Sequence, residues 1–270
     1  MRIGIIGGSG LYDMEGLQNV EKRKVATPLG EPSDEYVCGV LSGIDVCFLP
    51  RHGVGHRLLP SEIDHRSNIM GFKMLGVDRI VSVSAVGSLR EQLHPRDIVL
   101  PDQYFDRTKK SLEHTFFGNG AVAHVGFGEP ACPSLREQAA ASITDVIERQ
   151  NDECKATLHV GGTYVNMEGP AFSTKAESNV YRSMGFDIIG MTSLPEAKLC
   201  REAEICYQAV AMVTDYDCWH ESEEDVSVEM LIGHLNANVK LAKEVLADLI
   251  PRMVGEVSCA CGESLKTALF

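Results

Sequence analysis

The chain has 270 residues, of which 44% are hydrophobic and 23% charged, and its formal net charge is −13. This composition is ordinary for a soluble globular protein, and the acidic excess argues against a nucleic-acid partner held through phosphate contacts. No apolar run approaches the roughly 20 residues that a membrane span needs, and the Gly-rich first ten residues do not form a signal-peptide core. We expect one cytoplasmic domain over residues 1–270, with a C-terminal helix at about 228–250 and a tail at 251–270.

The first predicted strand, residues 2–6, runs into the glycine-rich segment 7–10. Its glycines and the Ser9 hydroxyl are suited to contact an anion. The spacing does not match a dinucleotide fingerprint, because residues 11–13 lack the third glycine, and no Lys-Ser/Thr pair follows as in a nucleoside-triphosphate loop. A plain strand-to-turn connection is the alternative.

Residues 36–40 and 44–49 read as a hairpin that leads directly to Arg51 and His52. His52 and His56 are four residues apart, but Gly53 and Gly55 disfavour the helix that a shared metal face would require. We therefore interpret Arg51 and His52, read as two cations at a strand end, as anion ligands. The alternative is a solvated basic loop.

Helices and strands alternate through the next part of the chain. The pattern predicts a helix at 61–75, strands at 79–84 and 97–101, an irregular connection at 102–133 that carries His124, and a helix from a Ser134–Glu137 capping box to Glu148. A strand, a helix and a strand in succession imply a crossover connection. The predicted fold class is therefore α/β, with a mixed but largely parallel central sheet flanked by helices.

The second half continues this order and ends in an acidic pair. Strands are predicted at 163–167 and 187–191 with a helix at 174–184 between them, and Ser193–Glu196 reads as a second capping box. The apolar run 207–213 is typical of a buried central strand, and Asp215 and Asp217 follow it. Ligands in open α/β sheets bind beyond such strand ends, although an Asp there also caps turns.

Four predicted strand ends carry groups suited to bind phosphate, because each offers a hydroxyl, an amide or a cation. They are the ends at Ser9, at Arg51 and His52, at Ser84 and Ala85, and at Thr192. No strong metal motif accompanies them, so we expect phosphate bound without magnesium and acting as a reactant. Asp215, if unpaired against the apolar strand, would have a raised pKa and could donate a proton. The predicted phosphate ligands are Ser9, Arg51, His52, Ser84, Ala85 and Thr192.

Six motifs, in order along the chain, resemble those of the 5'-methylthioadenosine phosphorylases, which belong with the trimeric purine nucleoside phosphorylases. These motifs are Gly4–Gly10, Arg51–Gly53, Gly87–Arg90, Glu168–Ser173, Met191–Glu196 and Thr214–Trp219. The resemblance implies a pentosyltransferase that splits a nucleoside with inorganic phosphate and uses no cofactor. It also implies a homo-oligomer, a trimer or a dimer of trimers.

Carried over residue by residue, the resemblance supports the phosphate ligands named above and adds a nucleoside site. It implies that Asp215 contacts N7 and the 6-amino group of adenine with support from Asp217. It further implies ribose and base contacts from Met191 and Phe172, and a contact from His124 to the ligand of a neighbouring subunit. Ser173 and Val228 are expected to border the base and the 5' pocket.

The implied chemistry agrees with the residues. Cleavage of the N-glycosidic bond needs an anion beside C1' and a proton donor at N7. A carboxyl group can accept from a 6-amino group, whereas a 6-oxo purine needs a donor there, and relatives that prefer 6-oxopurines carry asparagine where this chain has Asp215. The alternatives are a 6-oxopurine nucleoside or methylthioinosine phosphorylase, a non-catalytic nucleoside-binding protein, and a dinucleotide-dependent oxidoreductase.

The chain has nine cysteines, most of them in apolar segments where a free thiol acts as a small hydrophobe. We expect this of Cys38, Cys47, Cys200 and Cys206. Cys259 and Cys261 stand one residue apart in the tail, and relatives from hot environments carry a similar pair. A zinc site would need two further ligands at recognisable spacing, and none follows. We therefore expect no metal, and either a redox or stabilising pair or two free thiols.

Overall fold

The computed structural model describes residues 1–8, 10–11, 13–150, 156–220, 228–255 and 258–269, and for 111–112 and 228–236 only the backbone. One sheet is built from Arg2–Gly7 (β1), Gln18–Arg23 (β2), Tyr36–Leu41 (β3), Ile44–Pro50 (β4), Val77–Ser88 (β5), Ile98–Leu100 (β6), Gln103–Arg107 (β7), Leu158–Val160 (β8), Thr163–Met167 (β9), Ile188–Gly190 (β10) and Cys206–Asp215 (β11). The helices are His65–Met74 (α1), Pro133–Gln150 (α2), Lys175–Ser183 (α3), Ser193–Glu202 (α4) and Val228–Arg252 (α5).

The sheet is mixed, as the sequence predicts. β1 pairs in parallel with β4 and β5, β5 with β11, β6 with β8, and β9 with β7 and β10. The pairs β2–β3, β3–β4, β5–β10 and β6–β11 are antiparallel. Together these pairings give an α/β fold of one domain, so the predicted fold class is confirmed.

Helices cover both faces of the central strands. One core cluster includes apolar residues of α2 and α5, and another includes residues of α1 and α4. Alternate residues of one strand reach opposite clusters: Val46 and Phe48 of β4 face the first, and Leu49 faces the second. This burial on both faces explains why β11 is a continuous apolar run instead of an alternating one.

The long strand β5 has two different neighbours along one edge. β1 pairs with β5 as far as Ser82, and β10 begins to pair with it at Gly87. β11 occupies the opposite edge, where its Asp215 lies beside Gly87. Among the described residues, the β5 edge from Val83 to Val86 therefore has no strand partner. We call this segment the β5 gap.

Several predicted elements are confirmed and others are wrong. The hairpin β3–β4, strand β9 and the helices near 134–148 and 174–184 lie within a few residues of their predicted bounds. The predicted helix 61–75 is shorter, because Pro60–Glu62 forms a separate 3-10 turn before α1. The connection 102–133 is not wholly irregular, since it contains β7. Strands β2 and β8 were not predicted.

Both predicted capping boxes are wrong. α2 begins at Pro133, so Ser134 lies inside its first turn. The cap residue of α4 is Thr192, and its side chain makes no capping hydrogen bond. The capping box that does form is at α3, where the Thr174 hydroxyl accepts from the Glu177 amide and the Glu177 carboxylate accepts from the Thr174 amide. None of the described helices combines the length and apolar composition needed to cross a bilayer.

The cysteines differ from expectation in two places. Cys38 and Cys47 are cross-strand neighbours in β3 and β4 and form a disulfide, so they are not free thiols. The thiols of Cys132, Cys206, Cys259 and Cys261 lie within 4.8 Å of one another. The tail cysteines therefore do have two further thiol neighbours, which come from distant parts of the chain and not from a recognisable local spacing.

Candidate active site

The β5 gap is the centre of the candidate site. Ser84, only 8% exposed, has a hydroxyl with no hydrogen-bond partner among the described residues. The Arg51 guanidinium reaches the gap from the end of β4, where Nη1 donates to the Val83 carbonyl at 3.1 Å. The Arg51 amide donates to the Gly7 carbonyl, so the glycine-rich loop after β1 starts beside the same gap. Buried polar groups without partners are rare in folded proteins, and they point to a polar ligand here.

Arg51 is held by a buried network of carboxylate and hydroxyl groups. It is 2% exposed, and its Nε donates to Glu196 Oε1 at 2.6 Å, while Glu196 is 1% exposed. The Ser82 hydroxyl accepts from Arg51 Nη2 and donates to Glu196 Oε2, each at 2.6 Å. The Tyr207 hydroxyl also donates to Glu196, at 2.8 Å.

The charges of this pair stabilise each other. Burial alone would lower the pKa of Arg51, but the Glu196 charge raises it above its usual value. Burial would raise the pKa of Glu196, yet the Arg51 charge holds it below its usual value. Arg51 has five N–H donors, and its contacts with described residues use four of them. One N–H of Nη1 is left for a ligand.

His52 is neutral at pH 7 in this structure. Burial and then the Arg51 charge lower its pKa to about 4. Its Nδ1 lies 2.9 Å from the Leu58 carbonyl oxygen, which can only accept, so Nδ1 carries the ring proton. Its ring stacks on His56, with 4.3 Å between the ring centroids. His52 therefore offers Nε2 as an acceptor, which differs from the cation expected from the sequence.

The turn after β10 is held by one buried side chain, Asn166 of β9. Its Nδ2 donates to the Met191 carbonyl at 3.2 Å, and its Oδ1 accepts from the Leu194 amide at 3.0 Å. Thr192 lies between these two anchors, 95% buried, at the N-terminus of α4. The positive end of the helix dipole therefore lies at this turn, and it favours an anion there.

Asp215 and Asp217 lie at the end of β11 and are joined to each other. Asp215 Oδ2 accepts from the Thr214 hydroxyl at 2.7 Å, and its Oδ1 accepts from the Asp217 amide at 2.8 Å. Asp215 is therefore paired, so the condition under which the sequence predicts a raised pKa for it is not met. Burial raises the pKa of Asp217, and the nearby Asp215 charge adds to this shift. Asp217 Oδ2 is buried without a hydrogen-bond partner among the described residues, and burial favours the protonated form of this carboxyl group.

A glycine in β5 allows Asp215 to approach this strand closely, and two other predicted base-site residues differ in their exposure. A Cβ atom at Gly87 would lie 3.1 Å from Asp215 Oδ1, so glycine permits the close approach of this carboxylate. The Ser173 carbonyl accepts from the Cys218 thiol at 3.2 Å, and Ser173 is 9% exposed. Phe172, by contrast, is 66% exposed.

A cavity of about 360 Å³ opens beside this site. Met191 and Pro195 form part of its wall, together with the side chains of His65 and His114. The Nδ1 atoms of both histidines are buried without a hydrogen-bond partner among the described residues. Burial lowers the pKa of His65 to about 3 and also lowers that of His114. Both rings are therefore neutral at pH 7.

Of the remaining predicted residues, one is described away from the β5 gap and two, one of them by its side chain only, lie outside the described part of the chain. His124 is exposed and lies beside the C-terminal tail, where its amide donates to the Ala268 carbonyl. Ser9 lies outside the described residues. The Val228 backbone begins α5, but its side chain lies outside the described part of the chain.

Comparison with known proteins identifies the family. The model of the phosphorylase superfamily matches residues 2–251, which is most of the chain. The chain belongs to the phosphorylase superfamily. Two S-methyl-5'-thioadenosine phosphorylases are similar to it. The protein from Geobacter sulfurreducens is 55% identical over 268 residues, 99% of this chain and 91% of its own length. The protein from Hyperthermus butylicus is 48% identical over 272 aligned residues, 99% of this chain and 95% of its own length.

Solved structures of this superfamily agree with the fold. A methylthioadenosine phosphorylase from an antarctic soil metagenomic library superposes with a TM-score of 0.93 at 49% identity, covering 99% of this chain and 92% of the other. The Schistosoma mansoni methylthioadenosine phosphorylase, solved in complex with adenine, gives a TM-score of 0.90 at 36% identity, with 98% and 96% covered.

Sequence reasoning missed two residues that organise this phosphorylase site. Glu196 has the sequence context of a capping box, but its carboxylate pairs with Arg51 instead. Asn166 lies within a predicted strand. An amide side chain buried there needs hydrogen-bond partners, and its presence was the signal that could have identified it. Neither partner could be read from sequence spacing, because each contact joins residues at least 25 positions apart.

Proposed function

We propose that this phosphorylase cleaves the N-glycosidic bond of 5'-methylthioadenosine with inorganic phosphate. A phosphate oxygen attacks C1' of the ribose, the C1'–N9 bond breaks, and its electron pair leaves with the base. Proton donation to the purine completes the reaction and gives adenine and 5-methylthioribose 1-phosphate. The enzyme is a pentosyltransferase that consumes phosphate as a co-substrate and needs no cofactor.

The observation that carries the proposal is the register between β5 and β11. Ser84 lies beside Ala211, and Gly87 lies beside Asp215, in adjacent parallel strands. At about 3.3 Å per residue, the anion-binding gap and the acidic pair are roughly 10 Å apart along the strands. That spacing leaves room for a ribose between a phosphate and a purine.

The phosphate site uses Arg51, His52, Ser84, the Ala85 amide and Thr192, together with Ser9. Arg51 contributes a fixed charge and one N–H, and Ser84 contributes a hydroxyl that has no described partner. His52 Nε2 accepts a hydrogen bond from the P–OH group of monohydrogen phosphate, and the ring stays neutral. The anion therefore meets donors and one acceptor, which suits a phosphate that still carries a hydrogen.

The acidic pair serves the leaving base. Asp215 contacts N7 and the 6-amino group, and Asp217 behind it shares the proton that the purine takes up. Two neighbouring carboxyl groups titrate as a pair, and one proton retained by the pair is enough for one turnover. A carboxyl group that accepts from an exocyclic amine favours adenine over a 6-oxopurine.

The other substrate contacts are proposed as follows. Phe172 closes over the base, where its exposed ring would lose contact with water, and Ser173 borders the same pocket. Met191 contacts the ribose, and Val228 lines the apolar 5' pocket that a methylthio group requires.

The first experiment measures purine release from 5'-methylthioadenosine, adenosine and 5'-methylthioinosine, each with and without phosphate, for the parent enzyme and Asp215→Asn. We expect phosphate-dependent release of adenine, fastest from the methylthio compound, and its loss or redirection in Asp215→Asn. Release of hypoxanthine as the main product would instead establish a 6-oxopurine or methylthioinosine phosphorylase. No release from any substrate would favour a non-catalytic nucleoside-binding protein.

We further propose a cytoplasmic homo-oligomer, a trimer or a dimer of trimers, in which His124 reaches the ligand of a neighbouring subunit. His124 is exposed and lies away from the β5 gap of its own chain, in support of this role. Activity should disappear on dilution to monomers and should fall in His124→Ala while the assembly persists, as judged by light scattering. A fully active monomer would contradict the proposal.

A further inference from the structure

Four thiols meet where the C-terminal tail crosses the start of β11. The four-cysteine cluster consists of Cys132, Cys206, Cys259 and Cys261, whose Sγ atoms all lie within 4.8 Å of one another. The Sγ atoms of Cys206 and Cys259 are 3.5 Å apart. A tetrahedral zinc site with Zn–S bonds of about 2.3 Å places its sulfur atoms about 3.8 Å apart. The 3.5 Å pair and the 4.8 Å upper limit bracket this value, so the cluster is compact enough for one ion to bind all four sulfur atoms.

The cluster is assembled from three separate segments. Cys132 directly precedes α2, and Cys206 is the first residue of β11. The tail provides Cys259 and Cys261, of which Cys261 begins the 3-10 turn Cys261–Glu263. Three of the four residues are buried and Cys259 is partly exposed. The four thiols come from segments that are far apart in the sequence. Tertiary packing, and not local structure, therefore brings them together.

The N-terminus of a helix adjoins the cluster. Cys132 directly precedes α2, and the Arg136 amide in the first turn of α2 donates to the Cys132 carbonyl. The N-terminus of this 18-residue helix thus faces the sulfur atoms, and its dipole stabilises negative charge there.

A buried cation lies next to the cluster. Arg79 pairs directly with Cys206 between β5 and β11 and is 5% exposed. Its guanidinium donates to the carbonyls of Met253 and Gly255, and it forms no ion pair with any described carboxylate. A tetrathiolate zinc centre carries a net charge of −2, so a cation on the neighbouring strand is favourable for it.

We propose that the four-cysteine cluster binds one Zn²⁺ ion as a closed structural site. On binding, four thiols release four protons and the metal gains four sulfur bonds, with no change in oxidation state. A closed set of four protein ligands leaves no position for substrate. Cys206 and Asp215 stand at opposite ends of β11, roughly 30 Å apart at about 3.3 Å per residue, so the ion takes no part in the reaction proposed above.

The site would fix the tail to the body of the protein. Beyond the cluster, the Leu265 amide donates to Glu204 Oε1, and the Ala268 carbonyl accepts from the His124 amide. The tail therefore connects the start of β11 to the loop that carries His124. Zinc binding is expected to order this connection.

The test is the metal content of the full chain, expressed with zinc and purified under reducing conditions without chelator. We expect one zinc per chain by mass spectrometry of the metals, and less than about a tenth of that in Cys261→Ser. Cys218→Ser, which changes a thiol at the other end of β11, should retain one zinc per chain and serves as the matched control.

A second readout keeps the test valid if Cys261→Ser folds poorly. Parent protein stripped of zinc and loaded with Co²⁺ should show the intense visible absorption of a tetrahedral tetrathiolate centre, and zinc should displace it. Chelation should also lower the melting temperature of the parent more than that of Cys261→Ser. The proposal would be overturned in favour of disulfides by three observations together. These are an intact mass reduced by two hydrogens per bridge, disulfides mapped among these four cysteines, and no bound metal after reconstitution. Four free thiols that bind neither metal would also overturn it.

Discussion

Replacing Glu196 by glutamine should destabilise the protein strongly. The change preserves the size of the side chain but removes the negative charge, so the Arg51 guanidinium stays buried without its counter-ion. Both side chains are at most 3% exposed, and their closest atoms are 2.6 Å apart. The matched control is Glu31→Gln, the same substitution in a surface pair with Lys24, where the side chains are 78% and 72% exposed and 3.6 Å apart.

The structure sets the expected magnitude. Breaking one partner of a buried ion pair costs about 3–5 kcal/mol, because the remaining charge is left uncompensated. For a chain of this size, each kcal/mol lowers the melting temperature by about 2–4 °C, so Glu196→Gln should melt roughly 6–20 °C below the parent. Glu31→Gln should melt close to the parent, because exposed pairs contribute little.

The assay is calorimetric unfolding in phosphate-free buffer, repeated with added phosphate. Removing the Glu196 charge changes the net charge of the buried pair from zero to +1, so phosphate should raise the melting temperature of Glu196→Gln more than that of the parent. The reasoning fails if Glu196→Gln melts within the range of Glu31→Gln. It also fails if phosphate stabilises the variant less than the parent.

Three further predictions concern acid stability, the acidic pair and the turn after β10. The unfolded chain protonates its histidines near pH 6.5, but the folded chain protonates His52 only near pH 4 and His65 near pH 3. Below about pH 6.5 the unfolded state therefore binds more protons than the folded state. The melting temperature should fall as the pH drops from about 6.5. His65→Gln should flatten this fall in a calorimetric pH series, and an unchanged slope would count against the assignment. Gly87→Ala brings a methyl group to 3.1 Å from Asp215 Oδ1. It should lower kcat on the order of tenfold to a hundredfold and leave KM for phosphate unchanged. A rise in that KM alone would contradict the placement of Asp215 at the base. Asn166→Ala should cost about 1–3 kcal/mol in urea unfolding and raise KM for phosphate, because the turn around residue 192 loses its anchors; an unchanged KM would show that the turn holds without them.

The fold could be predicted where burial leaves a strong pattern. β11 was recognisable because both of its faces are covered, which makes its sequence a continuous apolar run. β2 was not, because its residues are mostly exposed and polar, so no alternation marks it. β7 is partly exposed in the same way and lies in a connection without clear periodicity. Strands at the margin of a sheet are held by backbone pairing, and backbone pairing leaves little trace in side-chain composition.

The candidate site could be predicted in outline for a related reason. Ligand-binding residues follow strand ends, so Arg51, Ser84 and Asp215 were all found at the ends of predicted strands. Glu196 was misread because a capping box and a buried counter-ion have the same local sequence. The protonation of His52 was also misread, since its surroundings and the Leu58 carbonyl, not its residue type, determine it.

The four-cysteine cluster shows the same limit. Its four thiols come from three segments, and the spacing between Cys132 and Cys259 carries no information about a shared centre. Only the packing of α2, β11 and the tail brings these residues together.

The register between β5 and β11 restricts which changes in chain length this family can tolerate. Arg79 and Gly87 lie on the same strand, each opposite a functional residue of β11. Deleting one residue between Arg79 and Ser84 would move Ser84 to the other face of the sheet, because side chains alternate along a strand. It would also shift Gly87 away from Asp215. Length variation among homologues should therefore accumulate in the connecting loops, and single-residue insertions or deletions within these two strands should be nearly absent from functional sequences.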